Sequence, residues 1–322
     1  MENEIDAFSQ NQRLGRGVNV IGYDPLWRSR AEARMQARHF RLIKEAGFDH
    51  VRINLHPFKF MEDAPGYAIS PAWLETLDWA VAQALDNDLV AILDMHEFNA
   101  MGRDFARLKA KCLAVWEQLA ARYQDAPDTV FFELLNEPYG TLTVALWNEF
   151  LVEPYDIVRR TNPDRTLVIG PAFWNSIDYI EDLQLPEADR NIIVTVHYYQ
   201  PMPFTHQGAS WSEFRDRSNV AWLGLPEERQ AIIRDLGKVQ VWAEQQQRPI
   251  YLGEFGTYEK ADMASRARYT SFMARYAEQL GWSWGYWQFD ADFVVYDIKQ
   301  DAWVTPILNA LIPPEGSDKC EP

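Results

Sequence analysis

The sequence predicts a single (β/α)8 barrel, the TIM-barrel architecture, on three observations. Short runs rich in Val, Ile and Leu recur eight times along the 322 residues, and segments with helical periodicity lie between them. These runs are continuously apolar, as expected of parallel strands that are buried on both faces. Eight such units fit the roughly 250 residues typical of this barrel. We therefore assign residues 14–311 to the barrel and residues 1–322 to one domain with short polar tails.

The elements can be assigned in order along the chain. The predicted strands are residues 17–21, 51–54, 90–95, 130–135, 167–170, 192–197, 250–253 and 283–287. The predicted helices are residues 31–46, 73–85, 105–123, 142–160, 227–246, 264–280 and 303–311, with a short one near 178–183. The second helix follows Ser70 and Pro71, a cap and a proline at the first helical position. A doubly wound open sheet is the alternative, but residues 22–25 are not the glycine-rich phosphate turn usual in that fold.

Charge and composition exclude several classes of partner. The 31 Lys and Arg residues against 47 Asp and Glu residues give a net charge of −16, which repels a phosphate backbone, so nucleic acid is not expected. No apolar run approaches the ~20 residues that span a bilayer, so no membrane partner is expected. The N-terminus lacks the basic and apolar regions of a signal peptide, which leaves a cytoplasmic location or a removed signal. Cys112 and Cys320 are too few for a disulfide framework, and free thiols are expected.

Aromatic residues make up 14% of the chain and include 13 Trp. Several lie in predicted loops, among them Trp27, Trp174, Trp211 and Trp222. Flat rings stack well on planar or apolar partners, including the apolar faces of sugars, whereas filling the core is the alternative role for any one of them. The loop positions indicate a binding surface lined by aromatic rings.

Polar groups follow six of the eight predicted strands, at the barrel rim where active sites lie. Two of them are carboxylates, Glu137 after strand four and Glu254 after strand seven. A charged group directly after a buried strand is costly unless it is paired or functional. Two carboxylates facing each other across a cleft suit glycoside hydrolysis, in which one protonates the leaving oxygen and the other attacks the anomeric carbon or activates water.

The ordered set of motifs resembles the retaining glycosidases of the 4/7 superfamily, and glycoside hydrolase family five, the cellulase family, in particular. The resemblance covers about residues 14–311. It depends on a run after strand four, a glutamate after strand seven and four further positions: Asn136-Glu137-Pro138, Glu254, Arg52, His96, His197-Tyr198-Tyr199 and Trp287. It implies a β-glucan substrate, no cofactor, no catalytic metal, and a secreted enzyme whose signal peptide is absent from this chain.

The resemblance also implies roles for the residues. Glu137 would be the acid/base and Glu254 the nucleophile, with Arg52 and Tyr199 hydrogen-bonded to Glu254 and His197 beside Glu137. Asn136 would bind the sugar 2-hydroxyl, an interaction that strengthens in the transition state. The residues expected to bind substrate are His96, Trp287, Glu97, Trp174, His206, Trp211, Trp27, Tyr23 and Gln288.

This chain departs from the family pattern on the glycone side of the predicted cleft. Glu97 stands where many relatives have a second histidine, and Tyr23 lies where close relatives place an Asn and a Glu. Tyr23, Trp27 and Glu97 are available there instead, and an aromatic wall favours a soluble β-1,4-containing glucan over mannan. We therefore expect endo-cleavage of such glucans, with a β-mannanase or another β-glycanase as the alternative.

Two readings from other classes remain open. A metal-dependent barrel hydrolase could use His96, Glu97 and His197 as ligands. However, strand one lacks the His-x-His pair of many such enzymes and reads Val18-Asn19-Val20. A carbohydrate-binding barrel without catalysis is the other reading, although both glutamates are retained. Chelator sensitivity would test the first, and hydrolysis of an aryl β-glycoside the second.

Overall fold

The computed structural model describes residues 6–314 and contains a closed barrel of eight parallel strands. The strands pair in sequence order, and the eighth pairs back to the first, so the predicted barrel is confirmed and the open-sheet alternative is wrong. The strands are β1 (Arg16–Val20), β2 (His50–Leu55), β3 (Val90–Met95), β4 (Val130–Glu133), β5 (Leu167–Ile169), β6 (Ile192–His197), β7 (Ile250–Phe255) and β8 (Ser283–Tyr286). A small antiparallel pair follows, β9 (Tyr296–Asp297) and β10 (Ala302–Trp303).

Helices surround the barrel and connect its strands. The α-helices are α1 (Ala7–Leu14), α2 (Ala37–Glu45), α3 (Pro71–Asp86), α4 (Phe98–Arg103), α5 (Phe105–Arg122), α6 (Val144–Thr161), α7 (Ala172–Asn175), α8 (Met202–Thr205), α9 (Pro226–Gln246), α10 (Met263–Gln279) and α11 (Thr305–Leu311). Short 3-10 helices cover Pro25–Trp27, Arg30–Glu32, Pro57–Phe60 and Ile177–Asp182. In the described part of the chain, no helix is both long and apolar enough to cross a bilayer.

The bottom of the barrel is closed by α1, which was not predicted. Its buried residues Ala7 and Leu14 join the cluster of apolar side chains that fills the lower barrel. The backbone oxygen of Leu14 is hydrogen-bonded to His50 Nδ1, and His50 Nε2 lies 2.9 Å from the hydroxyl of Tyr251. A Cβ on Gly17 would overlap the ring of His50, so only glycine fits there.

Three predicted helices begin later than expected, and the one predicted at residues 142–160 is α6, which begins at Val144. The helix predicted at residues 31–46 is α2 alone, because the Asp24 carboxylate accepts hydrogen bonds from the backbone N–H groups of Arg34 and Met35 and holds that segment outside the helix. The helix predicted at residues 303–311 begins at Thr305, because Trp303 pairs with Tyr296 in the β9–β10 ladder. Of the two cysteines, Cys112 is a buried free thiol, and Cys320 lies outside the described residues.

The upper barrel interior is polar, unlike its apolar lower end. Inward-facing residues from several strands are fully buried there and carry amide, guanidinium or carboxyl groups: Asn19, Arg52, Asn54, Asp94 and Glu133. Burial of such groups is tolerated only where they are hydrogen-bonded or ion-paired to one another. This layer forms the floor of the rim to which the strand ends deliver Glu137 and Glu254.

Candidate active site

Arg52 at the centre of β2 organises the floor of the site. Each of its five N–H hydrogens has an acceptor within 2.8 Å. Nε and Nη2 donate to the two carboxylate oxygens of Glu133, at 2.6 and 2.7 Å. The remaining hydrogens reach Asn19 Oδ1, Glu254 Oε1 and Asn136 Oδ1. The guanidinium is therefore fixed in position and orientation.

Glu254, the penultimate residue of β7, is held by two of the partners expected from the sequence. Arg52 Nη1 donates to Oε1 at 2.8 Å, and the Tyr199 hydroxyl donates to Oε2 at 3.0 Å. The side chain is 6% exposed. Both oxygens are thus fixed at the surface of the cleft.

Glu137 lies opposite, on the loop after β4. His197 Nδ1 is 2.7 Å from Glu137 Oε1, and the side-chain amide of Asn175 donates to His197 Nε2 at 3.3 Å. Because Nε2 accepts that bond, the proton of a neutral ring lies on Nδ1 and is donated to Glu137. Ligand atoms of Glu137, His197 and Glu254 all lie within 4.8 Å of one another, so the two carboxyl groups approach closely.

The two glutamates have different electrostatic surroundings. Burial raises the pKa of Glu254 to about 7, while Arg52 and the Tyr199 hydroxyl oppose that rise. Burial and the negative charge of Glu254 raise the pKa of Glu137 well above its ordinary value. Burial lowers the pKa of His197 well below its ordinary value, so its ring is neutral. As the pH rises, Glu254 therefore loses its proton first, and Glu137 loses its proton at a higher pH.

The pKa of Glu254 is raised even though the Arg52 guanidinium binds it. Arg52 is ion-paired with three carboxylates: Glu254, Glu133 and Asp94, whose Oδ2 lies 3.2 Å from the guanidinium. Its positive charge is therefore shared and does not lower the pKa of Glu254 alone.

Asn136, His96 and Trp287 lie beside this pair. Asn136 accepts from Arg52 through Oδ1, which leaves its buried Nδ2 without a protein partner. His96 Nδ1 lies 2.6 Å from Asp94 Oδ2, and its ring stacks on Trp287 with 5.4 Å between centroids and 7° between planes. Burial lowers the pKa of His96 well below its ordinary value, so it is neutral. An amide donor and a flat surface of two rings thus face one end of the cleft.

On the side of the cleft predicted to bind the glycone, four rings form a closed cycle. Tyr23 contacts His56 and Trp287, and His56 contacts His96, which stacks on Trp287. Tyr23 is 53% exposed, whereas burial lowers the pKa of His56 to about 3 and its Nε2 has no hydrogen-bond partner. The structure therefore adds His56 to the predicted residues of this wall.

On the opposite side, Trp174 stacks on Tyr139 with 4.8 Å between ring centroids, and it is 49% exposed. Phe173, Trp174 and Asn175 all have φ between 53° and 62°, a left-handed conformation costly for side-chain-bearing residues. This turn exposes Trp174 while Asn175 stays fully buried against His197.

His206 and Trp211 form a second aromatic group on the loop after β6. The His206 ring packs edge-on against Tyr199 and Trp211, at 5.0 and 5.2 Å between centroids. Burial lowers the pKa of His206 to about 4, and Trp211 is 59% exposed. The pair extends the cleft from the Tyr199 side of Glu254.

Three of the predicted substrate-binding residues are not exposed on the cleft surface: Trp27 lies in the core, Glu97 binds a neighbouring loop and Gln288 is buried. Trp27 is in the core, where its indole N–H donates to the Ile21 carbonyl and its ring stacks on Trp73, so the expectation that it lines the cleft is wrong. Glu97 accepts from the backbone N–H of Phe58 at 2.7 Å and thereby holds the loop that carries His56. Gln288 is 1% exposed, and its Nε2 has no hydrogen-bond partner.

The metal-ligand set considered from the sequence is not brought together. Within residues 6–314, the group with ligand-like spacing is Glu137, His197 and Glu254, whereas Glu97 turns to the backbone of Phe58. Two further residues of the site, Glu133 and Asp94, bind Arg52 and were not predicted from the sequence. The available signal was a carboxylate inside an otherwise apolar strand.

Comparisons with known proteins agree with this geometry. The family model described as cellulase (glycosyl hydrolase family 5) matches residues 12–292. Endoglucanase H of Acetivibrio thermocellus is 28% identical over 96% of this chain, which spans about a third (34%) of that protein. Endoglucanase C of the same organism is 26% identical, with 92% of this chain and 97% of that protein covered.

Solved structures are similar over nearly their whole length. Thermotoga maritima Cel5A in complex with cellobiose superimposes with a TM-score of 0.91 at 38% identity, covering 95% of this chain and all of that one. A complex of Cel5A with mannotriose gives the same values. With Glu137 on the loop after β4, Glu254 near the end of β7 and a family model that matches most of its length, this chain belongs to glycosyl hydrolase family 5.

Proposed function

We propose that this protein is a retaining endo-β-1,4-glucanase that cleaves soluble β-1,4-containing glucans. The observation that carries the proposal is the pair of carboxylates, Glu137 and Glu254, which approach within 4.8 Å and differ in their charged partners. A separation of about 5 Å leaves no room for a water between sugar and nucleophile, and so supports retention over inversion.

The mechanism follows from the two environments. Glu254 attacks the anomeric carbon as a carboxylate while Glu137, protonated because its pKa is raised, donates its proton to the leaving oxygen. Formation of the glycosyl-enzyme removes the negative charge of Glu254, which lowers the pKa of Glu137. Glu137 then accepts a proton from the water that hydrolyses the intermediate. The hydrogen bonds from Tyr199 and Arg52 to Glu254 weaken as that charge disappears.

The surrounding residues place the sugar. Asn136 Nδ2, a buried donor without a protein partner, is suited to the 2-hydroxyl. His96 is suited to the glycone hydroxyls through Nε2, because Nδ1 is engaged by Asp94. Trp287 forms the floor under the reacting ring. Trp174, Trp211 and His206 provide surfaces for the leaving-group sugars, and Tyr23 lines the glycone side.

The choice of glucan rests on the aromatic walls and on the names of the relatives, most of which are endoglucanases. It is tested with barley glucan, lichenan, carboxymethylcellulose and pure mannan, comparing kcat/KM for each. A rapid fall in viscosity relative to reducing ends identifies endo-cleavage, and proton NMR of the first product should give the β-anomer. An α-anomer would contradict retention, and a higher kcat/KM on mannan than on every glucan would contradict the choice of substrate.

Mannan is the second candidate, favoured by a specific observation. Thermotoga maritima Cel5A, 38% identical to this chain, has been solved with mannotriose as well as cellobiose. Asn136 is the proposed partner of the 2-hydroxyl, the position at which glucose and mannose differ. The same panel decides between the two polymers.

We also propose an extracellular site of action, because a polymeric glucan does not cross a membrane. Activity found in the culture medium of the source organism rather than in its cell lysate would support this location.

A further inference from the structure

Glu133 has no contact with the cleft but is bound to the residue that organises it. It lies at the end of β4 and is fully buried. Its two carboxylate oxygens accept hydrogen bonds from Nε and Nη2 of Arg52, at 2.6 and 2.7 Å. Such a bidentate pair sets the plane of the guanidinium as well as its position.

Two other N–H groups of the same guanidinium bind residues that line the cleft. Nη1 donates to Glu254 Oε1, and Nη2 donates to Asn136 Oδ1. The second contact fixes which way the Asn136 amide faces, because Oδ1 is taken and Nδ2 is left as the free donor. One carboxylate of the floor thus acts through Arg52 on two groups above it.

We propose that Glu133 is a positioning residue that acts through Arg52 on both the nucleophile Glu254 and the 2-hydroxyl donor Asn136. This inference rests on the proposed retaining mechanism with Glu254 as nucleophile. Glu133 has two effects. It holds the Arg52 guanidinium in place, and its negative charge partly neutralises the Arg52 charge that would otherwise lower the pKa of Glu254 further. The first effect speeds attack, and the second sets the pH at which attack begins.

The test compares E133Q, E133D and wild type on an aryl β-glucoside across pH. Burial raises the pKa of Glu133 to about 7 as well, so its charge develops over the same pH range as that of Glu254. E133Q removes that charge from beside Arg52, so the acidic limb of kcat/KM should move to lower pH by about half a unit, since each unit is about 1.4 kcal/mol of interaction. Its kcat should fall at least about 10-fold, because the glutamine amide meets the N–H groups of Arg52 as a second donor. E133D keeps the charge but shortens the reach, so its acidic limb should stay in place while kcat falls.

The 2-deoxy analogue of the same aryl glucoside separates positioning from general damage. If Glu133 orients Asn136, the loss of kcat/KM in E133D and E133Q should be smaller on the 2-deoxy substrate, which lacks the group that Asn136 binds. The control is E278Q, because Glu278 also binds an arginine, Arg16, at 2.8 Å but lies on α10 outside the barrel. E278Q should lose stability and keep the wild-type pH profile.

The outcomes are distinct. A purely structural Glu133 would give variants that melt earlier but keep kcat and the acidic limb, which overturns the proposal. If E133Q does not fold, E133D decides it: wild-type kcat would overturn the role, and reduced kcat with an unmoved limb supports it. Wild-type activity on the aryl glucoside without activity on any glucan would refute the proposed substrate and leave this test intact.

Discussion

His197 places its Nδ1 atom 2.7 Å from Oε1 of Glu137. Because the pKa of His197 is lowered by burial, this contact is a hydrogen bond from a neutral ring and not an ion pair. It orients the carboxyl group without adding a positive charge that would lower the pKa of the acid. The proposed acid therefore remains protonated at the pH at which the proposed nucleophile, Glu254, has ionised.

The catalytic pair gives the first prediction. E137Q and E254Q should each lose several orders of magnitude in kcat, since each group has a required part in the reaction, while circular dichroism and melting temperature stay close to wild type. With a small residue at position 254, azide should restore turnover and yield a glycosyl azide of inverted configuration, identified by NMR. Near-wild-type turnover by either glutamine variant would rule out the assignment.

The shared charge of Arg52 gives a prediction for pH. Glu254 must be ionised to attack and has a pKa raised to about 7, so kcat/KM should begin to fall on acidification well above pH 4.5. Glu137 must be protonated to act as the acid, so activity should also fall at high pH. The pKa that sets this basic limb is raised by burial of Glu137 and by the negative charge of Glu254. Profiles on an aryl β-glycoside measure both limbs, which belong to the coupled carboxylates as a group. An acidic limb at or below pH 4.5 would contradict the surroundings described for Glu254.

Trp174 gives a prediction about subsites. Changing Trp174 to alanine should lower kcat/KM on a glucan polymer by about 10-fold, equivalent to about 1.4 kcal/mol of lost stacking. Turnover of an aryl glycoside, which leaves most leaving-group subsites empty, should change little. Phe8→Ala is the matched control, because both rings are 49% exposed and Phe8 lies on α1 at the opposite end of the barrel. Equal losses on both substrates would indicate that Trp174 only packs the loop.

Glu97 gives a prediction about stability. Burial raises its pKa to about 7 from an ordinary 4.5, so the folded state binds its proton more tightly, and stability is lost as pH rises from about 4.5 through 7. E97Q can still accept from the Phe58 N–H but never becomes charged. At pH 8 the free energy of unfolding of E97Q should exceed that of wild type by an amount on the order of 1 kcal/mol, which is measured as a higher melting temperature. The difference should shrink toward pH 4.5.

The control for this prediction is Glu213→Gln, at an exposed residue, which should show no such pH-dependent gain. A constant difference between E97Q and wild type at all pH values would mean that Glu97 is not desolvated in the folded protein.

The strand pattern predicted much of this architecture, for a physical reason. Continuous apolar runs identify strands buried on both faces, and parallel strands of a barrel end at one rim, so Glu137 and Glu254 could be placed together from sequence order. Which face of a buried strand points inward has no signal in such a run. The carboxylates of Glu133 and Asp94 stand out within apolar strands, but their contact with Arg52 could not be predicted from that signal.

Loop aromatics were harder to interpret. Trp27 and Trp174 both lie in loops after strands, and only tertiary contacts separate their fates. The indole N–H of Trp27 finds the Ile21 carbonyl inside the fold, whereas a left-handed turn holds Trp174 outside it. The same dependence on distant partners explains the late start of α2, which is set by Asp24 rather than by the helical periodicity of its own residues.

The left-handed turn after β5 places two tasks on adjacent residues. Trp174 faces the proposed leaving-group side, and Asn175 carries the hydrogen bond that orients His197. Any insertion or change of direction that repositions Trp174 also rotates Asn175, so adaptation of this loop to a new polymer disturbs proton transfer at Glu137. The loop that carries Trp211 also carries Tyr199, which donates to Glu254, but these two residues are well separated in sequence rather than adjacent. Substrate range can therefore diverge at Trp211, in evolution or by engineering, at less expense in rate.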